Sequence, residues 1–142
     1  MSVSFQISFD AADPERLGTF WAEVLGYVMQ DPPAGFASWD AFLDSIGYPA
    51  DERDHAYALV DPEKVKPRLF FQKVPEGKTA KNRVHIDVNA GAGVAPDEKR
   101  SVVRARADEI VALGATELRE HDEHGEYWIV MQDIEGNEFC VQ

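Results

Sequence analysis

Cys140, Glu138 and His85 are the side chains of this sequence whose types and spacing could do chemistry. A thiol beside a base is a nucleophile or a soft-metal ligand, and an imidazole serves as base or ligand. Glu138 and Cys140 stand two apart in Glu138-Phe139-Cys140-Val141, so on a strand they share one face. Glu138 is then the carboxylate best placed to act as a general base, with an ion pair to Arg83 as its other role. Cys140, taken alone, reads as a small buried apolar residue before it reads as nucleophile or ligand. His85 lies in Arg83-Val84-His85-Ile86-Asp87-Val88, whose alternation puts Arg83, His85 and Asp87 on one face. Alone it reads as a hydrogen-bonded histidine before a ligand, and Asp87 or Arg83 would orient it or pair with the other. His121 and His124 fall in an acidic stretch that reads as a polar hairpin loop, which offers a metal no rigid geometry.

The elements that must position these residues follow from the hydrophobic pattern. Val3 to Phe9 alternates as a half-buried strand. Asp13-Pro14 opens a helix with Leu17, Phe20, Trp21, Val24 and Leu25 on one side, stopped by Gly26. Tyr27 to Gln30 is a short strand. Ser38 caps a short helix carrying Trp39, Phe42, Leu43 and Ile46, and the polar segment Tyr48 to Asp54 reads as irregular. Ala56 to Val60 and Arg68 to Val74 are strands joined by a turn at Asp61-Pro62-Glu63. Arg83 to Val88 is a strand, and Pro96 starts a long helix ended by Gly114 whose apolar side is Val103, Ala107, Ile110 and Val111. Thr116 to Glu120, Tyr127 to Gln132 and the last residues are strands.

This order repeats. Asp61-Pro62-Glu63 before Leu69-Phe70-Phe71 matches Asp133-Ile134-Glu135 before Phe139-Cys140-Val141. The unit seen twice is βαβββ, too long for a solenoid repeat. The sequence predicts one α+β domain over 1–142, with module one at 1–75, a linker at 76–81 and module two at 82–142. Trp39, Phe42, Phe71, Tyr127 and Trp128 are aromatics suited to grip a flat organic ligand, and Trp39, Phe71 and Trp128 are expected to bind it.

Composition narrows the partners. The formal charge is -12, from 26 acidic and 14 basic side chains, which argues against nucleic acid and anionic membrane surfaces. The one cysteine allows no internal disulfide and fits a reducing cytoplasm. Met1 to Asp10 has no basic region of a secretion signal, and no apolar stretch is long enough to span a bilayer.

Three stretches resemble the vicinal oxygen chelate superfamily, and within it the glyoxalase-like domains of the glyoxalase/bleomycin resistance protein/dioxygenase family. They are Phe9-Asp10-Ala11-Ala12-Asp13-Pro14 with Phe20-Trp21 and Leu25-Gly26, then Asn82 to Asp87, then Asp133 to Phe139. The resemblance implies two tandem βαβββ modules curled into one mixed-sheet cup, and often a homodimer. It implies a divalent metal held by the first and last strands of each module. Carried over residue by residue, that ligand set is Gln6, Gln72, His85 and Cys140. The sequence departs from the pattern at Cys140, where the family places a carboxylate. One imidazole, one thiol and two amides suit zinc better than a hard cation. The expectation is a protein that binds a small organic ligand in the cup, with a degenerate or absent metal site. The alternative is a metal-dependent lyase, isomerase or dioxygenase acting on an oxygenated small molecule.

Overall fold

The structure, a computed structural model, describes Met1–Gln142 as two compact units, Met1–Glu76 and Gly77–Gln142. Each is a βαβββ module built on one open four-stranded mixed sheet. No helix is long and apolar enough to cross a membrane.

Unit one runs β1 (Gln6–Ala11), α1 (Pro14–Leu25), β2 (Val28–Met29), α2 (Trp39–Ser45), a 3-10 helix (Ala50–His55), β3 (Ala56–Val60) and β4 (Arg68–Lys73). Sheet order is β1-β4-β3-β2, with β1 and β4 parallel and the other pairs antiparallel. Asp13 caps α1 by accepting from the Arg16 amide, and Gly26 ends it in the left-handed region. The apolar stripe of α1, Leu17, Phe20, Trp21 and Val24, packs with Leu59, Leu69 and Phe71 to make the core. Gly18 permits that contact: a Cβ there would meet Tyr57 Cδ1 at 2.4 Å. By contrast α2 buries no residue.

Unit two runs β5 (Asp87–Val88), α3 (Pro96–Ala112), β6 (Thr116–Glu123), β7 (Glu126–Gln132) and β8 (Glu138–Val141), in sheet order β5-β8-β7-β6. Val103, Ala107 and Ile110 of α3 close over Ile129, Met131, Phe139 and Val141. The turns that launch β4 and β8 are built alike. Asp61 accepts from the amides of Glu63, Val65 and Lys66, and Asp133 accepts from the amides of Glu135 and Asn137. Both carboxylates are buried, so each satisfies backbone donors that would otherwise be left unpaired.

Several expected elements differ from the observed ones. β1 begins at Gln6, the first residue with a ladder partner, and Val3 and Phe5 ahead of it stay 86% and 70% exposed. Ala50–His55 is a 3-10 helix rather than irregular chain. The strand expected over Arg83 to Val88 pairs only at Asp87 and Val88, and Val84 is 83% exposed. Alternation marks a buried face only where a neighbouring strand and a core exist to bury it. Val111 is 41% exposed and lies outside the α3 core stripe. The polar loop expected over His121 to Gly125 is a tight hairpin. β6 runs to Glu123, and the two turn residues His124 and Gly125 have φ of 54° and 79°. Positive φ at both central positions is the turn that matches strand twist. His121 is therefore a strand residue, stacked on Trp128 with ring centroids 4.6 Å apart.

Candidate functional site

In unit two the parallel register puts Asp87 directly beside Cys140. His85 sits two residues before Asp87, and its Nδ1 lies 3.0 Å from Asp87 Oδ1. One ligand atom from each of His85, Asp87 and Cys140 lies within 4.8 Å of the others. His85 and Asp87 are exposed and Cys140 is half-buried. Burial raises the Cys140 pKa, and the negative charge of Asp87 raises it further, so the thiol is held protonated. A thiol so held is a poor nucleophile. Lys81 and Arg119 pull the other way, but burial and Asp87 outweigh them.

Glu138 shares the Cys140 face, but its carboxylate is committed. It accepts from the Asn82 amide at 2.9 Å and pairs with Lys78 Nζ at 3.1 Å. The Asn82 hydrogen bond leads in pulling its pKa down, with Lys78 adding to it, to about 2. A carboxylate this acidic is a weak general base near neutral pH. Its geometry is that of a tether: it binds the chain at Asn82 in the stretch where the ladder of β5 has not yet begun. The partner is Lys78 rather than Arg83.

In unit one, Gln6, Ser8 and Asp10 face away from the helix, beside Arg68, Phe70 and Gln72 of β4. Gln6 and Gln72 do not come together. Gln6 pairs with Arg68 and Gln72 with Asp10, four positions along β1, which is about 13 Å at ~3.3 Å per residue. Each amide is also engaged, Gln6 through its oxygen and Gln72 through its nitrogen. Gln6 Oε1 accepts from Arg68 Nη1 at 2.8 Å, and Gln72 Nε2 donates to Asp10 Oδ1 at 2.8 Å. The oxygen that Gln6 would offer a metal thus already faces a guanidinium cation. The donors of unit one do not fit a divalent ion. The His85, Asp87 and Cys140 set of unit two fits a soft one such as zinc and suits a hard one poorly.

Of the three aromatics expected to bind ligand, Phe71 belongs to the core. It is 0% exposed and stacks on Phe9 at 4.7 Å, because successive strand residues point to opposite faces and Gln72 takes the other one. Trp39 is half-buried, donates from Nε1 to the Gln30 carbonyl at 2.7 Å and meets Phe42 edge-on. Trp128 lies on the same sheet face as Val130, which pairs with Cys140. Tyr127 is buried.

Asp87 and Arg68 are the members that motif matching alone leaves out. The signal for Asp87 was its two-residue spacing from His85 on an alternating stretch. Arg68 carried no signal, since a basic residue opening a strand is ordinary.

A family model described as Glyoxalase-like domain matches residues 6–142. The chain is 34% identical over 110 residues, 78% of its length, to an S-adenosylmethionine:tRNA ribosyltransferase-isomerase of Methylorubrum populi, and spans 28% of the length of that curated relative. Among solved structures it resembles a glyoxalase/bleomycin resistance protein/dioxygenase family enzyme from Burkholderia phytofirmans PsJN, with a TM-score of 0.60 and 17% identity, covering 96% of this chain and 94% of that one. It also resembles a mutant of the fosfomycin resistance protein FosX from Listeria monocytogenes complexed with Mn(II) and a dihydroxypropylphosphonic acid. There the TM-score is 0.62 and the identity 12%, over 100% of this chain and 90% of that one. At these identities the structural matches establish the fold.

Proposed function

This chain belongs to the glyoxalase-like domain family, and on that footing we propose that it binds a small organic ligand and has lost the family's usual metal chemistry. The observation that carries this is the state of Gln6: its carbonyl oxygen accepts from the Arg68 guanidinium, a cation standing where a metal would need a free donor. Cys140 in place of a carboxylate, protonated and half-buried, points the same way. Trp39 and Phe42 of α2, a helix that buries nothing, and Phe36 from the segment before it meet edge-on and supply apolar surface for a ligand to cover. The homodimer belongs to the same proposal, and light scattering on the purified chain reads it.

The second function, a metal-dependent lyase, isomerase or dioxygenase, is favoured by one observation. His85, Asp87 and Cys140 bring nitrogen, oxygen and sulfur within 4.8 Å of one another. If zinc is bound, those three residues hold it, and the metal supplies Lewis-acid polarisation of a substrate oxygen. Asp87 then orients His85.

Two measurements separate them. Metal content is read on protein purified without chelator or affinity tag, for the wild type and for His85→Ala. A thermal-shift panel of aromatic and amphipathic small molecules is run alongside. The ligand-binding function predicts substoichiometric metal and saturable shifts from some organic compounds. Stoichiometric zinc that disappears in His85→Ala would establish the metal-dependent alternative instead.

A further inference from the structure

The charge of Arg68 is the feature of unit one that the metal question leaves unused. The guanidinium is fixed at three points. Nε donates to Gln30 Oε1 at 2.7 Å, Nη1 donates to Gln6 Oε1 at 2.8 Å, and the group stands 5.2 Å from the centre of the Phe70 ring. Both acceptors are neutral amide oxygens, so the positive charge is oriented without being neutralised. Elsewhere the fixed arginines are matched to acids: Arg53 to Asp40 and Asp44, Arg104 to Asp108 and Glu117. No carboxylate lies within ion-pair distance of Arg68, although the chain carries 26 of them.

Arg68 and Gln6 line a groove of about 580 Å³ with Lys64 and Lys66 at its side. Asp61 is held below its ordinary pKa first by the Lys66 backbone amide and only lastly by the Lys66 charge, and neither Lys64 nor Lys66 forms an ion pair. The same groove is lined by Val3, Phe5 and Val65, which are 86%, 70% and 80% exposed. A planar donor fork, neighbouring cations and apolar walls together suit one ligand chemistry. A carboxylate pairs with the guanidinium charge through the N–H groups that Gln30 and Gln6 leave over, those of Nη2 among them, and an apolar body removes the walls from water.

We propose that this groove in unit one is the binding site for an organic carboxylate with an aromatic or aliphatic body, with Arg68 as its anion anchor and Gln6 and Gln30 as the positioning residues that aim it. The inference rests on the ligand-binding function proposed above and names the class of ligand. Gln6 then has a role that needs no metal: it holds the fork in register with the groove.

The test is isothermal titration of the full chain with phenylacetate and with its neutral isostere phenylacetamide, for the wild type and for Arg68→Met. A charge-assisted hydrogen-bonded pair predicts that the wild type prefers the acid by at least about tenfold. Arg68→Met lowers the affinity for the acid far more than that for the amide, so that the preference disappears, and Arg68→Lys recovers part of it. Because a variant could misfold, the wild-type Nε–Hε resonance of Arg68 is followed as well, and it shifts on addition of phenylacetate. Equal affinities for acid and amide with an unmoved Arg68 resonance overturn the carboxylate site while ligand binding stands. Saturable binding of neither compound also overturns it; the broader function falls with it only when the thermal-shift panel is flat too.

Discussion

Glu138 shows how a residue's neighbours decide its chemistry. By type and strand position it could serve as a base, yet the Asn82 amide and Lys78 hold it ionised down to about 2. Its folded pKa lies below its ordinary value of 4.5, so it stabilises the fold at and above that value. The contribution is lost as pH falls from about 4.5 towards about 2. Urea titrations through that window are expected to show the midpoint falling with pH, more steeply in wild type than in Glu138→Gln. The slope does not vanish in the variant, because Asp54, Asp61 and Glu117 are also held below their ordinary values by their partners. Phe71 makes the complementary case. Phe71→Ala is expected to cost about 3–5 kcal/mol of stability, as removal of a fully buried aromatic does. Trp39→Ala, at a half-buried position on a helix that buries nothing, is expected to cost less stability and to weaken ligand binding; paired denaturation and titration experiments separate the two.

At the scale of elements, two glycines hold geometry that no other residue supplies cheaply. Gly125 sits at φ of 79° in the two-residue turn between β6 and β7. Gly125→Val is expected to destabilise the protein by about 1–2 kcal/mol, measured by chemical denaturation, since a β-branched side chain resists that backbone conformation. Gly18 is demanded by packing. The ring of Tyr57 stands 2.4 Å from where its Cβ would go, so Gly18→Ala is expected to cost about 1–3 kcal/mol as the ring is displaced. Helix ends, the paired turns at Asp61 and Asp133, and most strands were legible in the sequence, because caps and turns are written in a few adjacent residues. The strand over Arg83 to Val88 was half legible. Its alternation was real, but pairing begins only at Asp87, where β8 is alongside.

At the scale of the whole molecule, the surplus of acid sets the electrostatics. With a formal charge of -12, self-repulsion opposes the folded state, and salt screens it. Raising sodium chloride from about 20 to about 300 mM is therefore expected to raise the thermal midpoint at neutral pH, while weakening phenylacetate binding at Arg68. A midpoint that falls with salt would mean that ion pairs such as Arg104 with Asp108 and Glu117 outweigh the net repulsion. The duplication belongs to this scale as well. Two βαβββ units with the same strand order carry different chemistry on corresponding faces: amides and a guanidinium in one, imidazole, carboxylate and thiol in the other.

The sequence by itself determined the family resemblance, the two-module α+β architecture and the helix caps, because local periodicity and short motifs encode these directly; the grouping of His85 with Cys140 was an implication of the resemblance. Only the tertiary structure decided which side chains are free to act. The positions of Gln6, Gln72 and Glu138 were in view from the start, but their availability depends on Arg68, Asp10, Lys78 and Asn82. Those partners lie as far as 62 residues away along the chain; strand register brings Arg68 and Asp10 into reach, and Lys78 and Asn82 arrive from the segment ahead of β5.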